Sequence, residues 1–305
     1  MNSGATITPL ISVALCTYNG AAYLREQLDT ILTQSYSNLE FIIVDDGSTD
    51  ETVHILKEYA IRDSRIQLYK NDTNLGFNAN FQKAISLCSG EWIAIADQDD
   101  IWHRQKLEIM MRSWNQQAVL IHCSSKKFTD AASIAGQQQP AVRSFNGNNI
   151  QQLAAKNTVE GHNLLFHHSL KQKAIPFPEK LFYDWWLGAV ATVNGGVQWI
   201  EQVLVWRRIH EHNTYEKKMA PLLNEAEIWM QHLKAFLHLE GIKKEDEVFI
   251  SSCIKLLQTK ATYKEWHSFI LQHRDLFFYY KKGIFAFVSK RKHSAKLARK
   301  LAATA

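Results

Sequence analysis

The chain alternates between two kinds of apolar pattern. Residues 10–17 form an unbroken apolar run of the kind that makes a buried strand, residues 21–34 shift to helical spacing, and 40–45 return to an apolar strand. This opening predicts a βαβ unit. Ser48 with Glu51 three positions on has capping-box spacing and predicts a helix to about Tyr59. Strands over 65–70, 92–96 and 118–124 and helices over 77–87 and 104–115 follow in the same alternation. That order predicts an α/β fold: a mostly parallel sheet with helices on both faces, right-handed crossovers, and a ligand crevice outside the carboxyl ends of the strands.

Regularity fades over 129–149, a Gln, Asn, Ser and Gly-rich stretch that reads as a mobile loop. Beyond it the pattern predicts a strand over 162–166, a helix over 184–193 and a pair of strands over 197–200 and 203–210. Two long helices, 221–239 and 245–273, carry no internal Gly or Pro, so an α-helical appendage is expected from about residue 215.

A chain of 305 residues, 46% hydrophobic and 21% charged, can bury one full core and add a smaller unit. Cys16, Cys88, Cys123 and Cys253 lie in apolar segments without C-x-x-C spacing, which reads as reduced core thiols in a cytosolic chain. No apolar run approaches the roughly 18 residues of a membrane span, and residues 1–9 lack a secretory pattern. Charge is uneven. Residues 281–305 hold eight Lys or Arg and no acid, leaving −3 on the rest of a chain whose net charge is +5. Two readings stand for this tail: a solvated helix end, or a patch for an anionic membrane surface, where each cation contributes about 1 kcal/mol. Nucleic acid is not expected as a partner, because the basic residues do not reach the half that carries the chemistry.

That chemistry gathers at three strand ends. Thr17-Tyr18-Asn19 follows the first strand, Asp45-Asp46-Gly47-Ser48 the second, and Asp97-Gln98-Asp99-Asp100 the fourth. In a parallel sheet all three share one rim. Carboxylates crowded at a strand end repel one another and resist desolvation, so the last group points to a bound cation, most simply a hard one shared with phosphate oxygens. The chain has neither G-x-G-x-x-G nor G-x-x-x-x-G-K, so a diphosphate would be bound through a metal.

In order and spacing, Thr17-Tyr18-Asn19, Asp45-Asp46-Gly47-Ser48-Thr49-Asp50, Asn74-Leu75-Gly76-Phe77 and Asp97-Gln98-Asp99-Asp100-Ile101-Trp102 resemble the inverting glycosyltransferases of family 2, which have the GT-A fold. The match covers about residues 10–215, and the Asp-Gln-Asp-Asp-Ile-Trp form is most similar to rhamnosyltransferase-like members. The resemblance implies a transferase domain over 1–214, with a nucleotide-binding half at about 9–125 and an acceptor half at about 126–214, followed by a helical region over 215–305.

It also implies roles. Asp46 would accept a hydrogen bond from the base, Thr17, Tyr18 and Asn19 would line it, and Gly76 and Asn80 would lie beside the donor. Asp99 would ligate Mg²⁺ or Mn²⁺, Asp97 would touch the ribose or complete the metal shell, and His210 would be a further metal ligand. Arg207 or Arg208 could pair with phosphate. Asp184, opening a helix among aromatics, would be the catalytic base. Plainer readings stand beside these: turn chemistry for Asp45 and Asp46, helix capping for Asn74, Gly76, Asp100 and Asp184, a surface position for His210, and core packing for Trp185 and Trp186 rather than stacking on a sugar.

The function expected is metal-dependent transfer of one sugar from a UDP-, GDP- or dTDP-sugar to a saccharide acceptor, lipid-linked in one reading, within bacterial surface polysaccharide assembly such as O-antigen or capsule. The alternative is a non-catalytic nucleotide-sugar-binding protein. Residues 202–207 lack the Gln-x-x-Arg-Trp of processive synthases, which favours single addition. The expected location is the cytoplasm, or the cytoplasmic face of the inner membrane.

Overall fold

Strand β1 (Ile11–Thr17) is buried along its whole length because its side chains alternate into two separate cores. Ile11, Val13 and Leu15 pack with helices α1 (Ala21–Leu32), α2 (Thr52–Arg62) and α4 (Lys106–Ser113). Ala14 and Cys16 face the other way, toward α3 (Phe77–Leu87), α5 (Ile150–Ala155), α6 (His168–Ala174) and α7 (Tyr183–Thr192). The computed structural model describes residues 8–130, 134, 143–211, 225–281 and 286–304. Most of the loop expected over 129–149 lies outside them.

Among the described residues the sheet has eight strands. Besides β1 they are β2 (Leu39–Asp45), β3 (Ile66–Lys70), β4 (Trp92–Ala96), β5 (Ile101–Trp102), β6 (Leu120–Phe128), β7 (Leu164–His167) and β8 (Val197–Arg208), in the order β3-β2-β1-β4-β7-β6-β8-β5. The first four are parallel, with Thr17 opposite Asp45 and Leu15 opposite Ala96. β7 then runs antiparallel to β4 and β6. Chain order reverses at β1, the point where an open α/β sheet leaves its crevice. This is the mixed, mostly parallel GT-A sheet that the resemblance implied.

Three local expectations are corrected. Ser48 does not cap α2, because its N–H and hydroxyl both go to Asp45, at 2.9 and 2.5 Å; Asp50 Oδ1 instead accepts the Thr52 N–H at 3.0 Å. The strand pair over 197–210 is one strand, β8, in which one register shift against β6 absorbs the exposed Glu201 and Gln202 as a bulge and a second absorbs Leu204. The single helix over 245–273 is two, α9 (Lys244–Gln258) and α10 (Tyr263–Gln272). Lys260 takes φ +51°, and Thr262 with Glu265 forms a capping box that starts α10.

The C-terminal helices α8 (Glu225–Phe236), α9, α10, α11 (Arg274–Phe277) and α12 (Ala286–Thr304) join the α5 and α7 core through Trp229, Leu233, Phe236, Phe249, Trp266 and Phe277. Trp229 Nε1 donates to Ala154 O at 2.7 Å. All four cysteines are buried and free. Among the described residues no helix is long and apolar enough to cross a membrane.

Candidate active site

The ends of β1 and β2 are tied into one polar knot. Asp45, fully buried, accepts from Thr17 Oγ1 at 2.9 Å and from Ser48 as above. Asp46 Oδ1 accepts Asn71 Nδ2 at 2.7 Å and the Leu75 N–H at 2.9 Å, and its Oδ2 accepts the Gly76 N–H at 2.9 Å. Asn80 lies beneath, donating to Val44 O and accepting from Asn71. Asn19, at φ +47°, accepts the Thr49 N–H while its own N–H donates to Ser48 Oγ. Of the residues expected around the donor, Tyr18 and Asn19 are exposed and Gly76 and Asp97 partly so, while Thr17, Asp46 and Asn80 are buried. Tyr18 is 38% exposed, whereas Thr17 and Asn80 are 2% exposed. At Gly76, φ is +84° and a Cβ would meet nothing within 4 Å, so the backbone conformation selects glycine there.

Across the switch point lies the acidic turn after β4. Gln98 bridges it to β1: the Tyr18 N–H donates to Gln98 Oε1 at 2.9 Å and Gln98 Nε2 donates to Tyr18 O at 3.2 Å. Asp99 Oδ2 and His210 Nε2 are 2.7 Å apart, so two of the expected metal ligands meet although 111 positions separate them. They are brought together by Arg208, whose N–H donates to Asp100 Oδ1 and whose Nε donates to Asp99 O, both at 3.0 Å. The Arg208 guanidinium then pairs with Glu26 and lies over Tyr23, which itself packs on His210 with ring centroids 4.5 Å apart. Arg208 therefore serves as a strut across the site. Arg207 is half-buried and its side chain makes no hydrogen bond or ion pair among the described residues, while its charge reaches Asp97, Asp100 and Glu160. Asp100 caps no helix, since β5 follows it.

Burial, and after it the charge of Asp99, lifts the Asp97 carboxyl to about 7. Asp184 contributes to the same lift, which puts the candidate base within electrostatic reach of the acidic turn. Asp184 sits in the first turn of α7, whose N-cap is Phe182. Its Oδ1 accepts the Trp185 N–H at 2.6 Å and its Oδ2 the Gly161 N–H at 3.2 Å. Burial pushes it up to about 7; these N–H groups oppose the rise and the Glu160 charge adds to it. The residue still keeps partial exposure. Trp185 and Trp186 both turn inward, with indole N–H groups on Leu153 O and Ala174 O. Trp185 stacks on His232 of α8 at 4.2 Å, and the Phe182 N–H donates to His232 Nε2 at 2.9 Å.

Four residues that were not singled out in the sequence shape this wall. Glu160, half-exposed, accepts from Ser125 Oγ at 2.9 Å and faces Asp184. Gly161 admits no side chain, because a Cβ would lie 2.0 Å from Tyr183 Oη. His162 and Lys106 are buried behind the acidic turn, with Lys106 Nζ donating to His162 O at 3.0 Å and lying 3.3 Å above the Trp102 ring. The available signals were weak: Glu-Gly-His-Asn before a short strand, and a lysine on the apolar face of a helix.

A family model described as glycosyl transferase family 2 matches residues 12–173. An uncharacterized glycosyltransferase of Methanocaldococcus jannaschii is 31% identical over 215 residues, covering 68% of this chain and 73% of that one. A second uncharacterized glycosyltransferase, from Rickettsia prowazekii, is 27% identical over 85% of this chain and 83% of its own length. Among solved structures, S. aureus TarS 1-349 in complex with UDP-GlcNAc superposes with a TM-score of 0.65 at 16% identity, covering 97% of this chain and 89% of that one. A mannosyltransferase from Pyrobaculum calidifontis in complex with GDP-Man and Mn²⁺ gives 0.59 at 16% identity, over 96% and 87%. With a family model over more than half of its length and relatives along most of it, the chain belongs to glycosyl transferase family 2.

Proposed function

We propose that this chain is a metal-dependent inverting glycosyltransferase that moves one sugar from a nucleotide-diphospho-sugar to an acceptor hydroxyl, with Asp184 as base. The observation that carries this reading is a partly exposed carboxyl group in the first turn of α7, held up at about 7 and within reach of the acidic turn's charge. Ionised Asp184 takes the proton of the acceptor hydroxyl as that oxygen attacks the anomeric carbon. The bond from that carbon to the diphosphate breaks on the opposite side, so configuration inverts and no protein nucleophile is needed.

The other residues bind and orient. Tyr18, with Thr17 and Asn19 behind it, borders the base; Asp46 presents the Leu75–Gly76 backbone, and Asn80 supports that loop. Arg207 faces the diphosphate. Asp97 meets the ribose or completes a metal shell. The Asp99–His210 pair supplies one oxygen and one nitrogen donor, a set that fits Mn²⁺ better than Mg²⁺. When bound, that ion would stabilise charge on the departing nucleoside diphosphate. The ligands of the fold neighbours, UDP-GlcNAc and GDP-Man with Mn²⁺, agree with a donor and ion of this class.

Residues 1–214 serve as the transferase domain, with 215–305 as a helical region bracing it. On α12, Lys292, Lys296, Arg299 and Lys300 are exposed opposite the buried Ser294, Ala298 and Leu301. This basic stripe suits an anionic membrane face and a lipid-linked acceptor, as in surface polysaccharide assembly, on the cytoplasmic side. Lys300 already pairs with Glu225, which weakens the stripe by one cation.

The test is a screen of UDP-, GDP- and dTDP-sugars for nucleoside diphosphate release, with and without Mn²⁺ or Mg²⁺. Metal-dependent release from one nucleotide class is expected. Binding of none of them ends the reading.

A further inference from the structure

Behind the acidic turn, Asp97, Asp100 and His162 each offer one ligand atom, and the three atoms lie within 4.8 Å of one another. Ligands at about 2.0 to 2.6 Å from a metal ion stand at most about 4 to 5 Å apart across it, so one ion can touch all three. Two polar atoms of the group are buried with no hydrogen-bond partner among the described residues, Asp100 Oδ2 and His162 Nε2, on residues 1% and 5% exposed. The other Asp100 oxygen is taken by the Arg208 N–H, and His162 Nε2 has Glu160 Oε2 at 3.5 Å. A buried carboxylate oxygen and a buried ring nitrogen left unsatisfied together are costly unless something sits between them.

Among the described residues no lysine or arginine fills the gap. Lys106 is committed to His162 O and the Trp102 face and makes no ion pair with either aspartate among the described residues. Arg208 reaches away to Glu26. Five carboxylates, those of Asp97, Asp99, Asp100, Glu160 and Asp184, therefore share one electrostatic neighbourhood with Lys106 and Arg207. With these carboxyls ionised, as a bound cation requires, the excess is negative before any diphosphate arrives.

We propose that Asp97, Asp100 and His162 form a second divalent-cation site, behind the Asp99–His210 pair, for an ion that accepts mixed oxygen and imidazole donors. Mn²⁺ and Zn²⁺ meet that requirement, while Mg²⁺ and Ca²⁺ prefer oxygen alone. The ion would hold the acidic turn from behind, fixing the Asp97 carboxylate against β7 and β6 while Asp99 and His210 remain available to the donor side. This inference does not depend on sugar transfer, because the ion is counted without any donor present.

The experiment uses the full chain stripped with chelator, then exposed to Mn²⁺ alone and, separately, Zn²⁺ alone. Anomalous scattering from soaked crystals locates the ions, and equilibrium dialysis counts them. A peak among Asp97, Asp100 and His162 is expected, kept in Asp99→Asn and lost in His162→Gln, with the dialysis count falling by one in the latter. If His162→Gln does not fold, as read by circular dichroism, Asp100→Asn takes its place. The wild-type peak position decides the matter even if both variants fail. An ordinary water at that position, or ions only beside Asp99 and His210 with a count unchanged in His162→Gln, would overturn the proposal. Failure of the transferase reading looks different: no nucleoside diphosphate is released from any donor, whatever the metal count.

Discussion

The two sides of the crevice treat their polar atoms in opposite ways. On the β1–β2 side, Asp45, Asp46, Asn71, Asn80 and Asn19 bond to one another and to backbone. On the β4–α7 side, Asp100 Oδ2 and His162 Nε2 are orphaned, Arg207 makes no ion pair among the described residues, and burial holds Asp97 and Asp184 up at about 7. The first side is a finished frame. The second stores unfavourable electrostatics that a ligand, metal or proton transfer relieves, as expected where chemistry rather than shape is decided.

The contrast can be broken by substitution. Asp184→Asn keeps volume but removes the basic oxygen, so kcat is expected to fall by about 10² to 10⁴ while donor affinity, read by calorimetry, stays within about twofold. Equal losses in both would move Asp184 from chemistry into the frame. On the opposite side, Asp45→Ala deletes the acceptor of three hydrogen bonds and should cost about 2 to 4 kcal/mol of folding stability in denaturant melts. A change below about 1 kcal/mol would show that the knot is dispensable. Gly161→Ala pushes a methyl group into the Tyr183 hydroxyl and displaces the Gly161 N–H from Asp184, for an expected loss of about ten- to a hundredfold in kcat with little change in donor binding.

Proton uptake sharpens the comparison further. Asp184 must be ionised to act and its carboxyl sits at about 7, so kcat should rise about tenfold per pH unit up to neutrality and level off above it. A profile at saturating Mn²⁺ that is flat from about pH 5.5 to 8 would remove Asp184 as the base. The smallest effect belongs far from the crevice: Thr262→Ala removes the α10 capping box and should lower stability by about 1 kcal/mol without altering turnover.

The frame side was largely legible in the sequence, since an apolar run ending in a polar turn marks both a strand and the rim on which its end lies. α3 and β4 fall at the boundaries the pattern predicts. What escaped was set by partners far along the chain. Ser48 looked like a cap until Asp45 took its hydrogen bonds, and Glu201-Gln202 looked like a turn until β6 absorbed it as a bulge. The α9–α10 break was readable from Thr262 and Glu265, but the absence of Gly and Pro masked it. Glu160 and His162 carry no local signature, because only the meeting of β4, β6 and the segment before β7 gives them neighbours. Arg207 and Arg208 were indistinguishable as sequence; strand alternation sends one to the acidic turn's field and the other to Glu26.

The seat of Trp185 on His232 has a hereditary consequence. The residue next to the candidate base is anchored in α8, so chains recombined near residue 214 would inherit a donor pocket from one parent and the aim of Asp184 from the other. Exchange of C-terminal segments between relatives is thus a route to retargeted acceptors, provided His232 and Trp185 travel together.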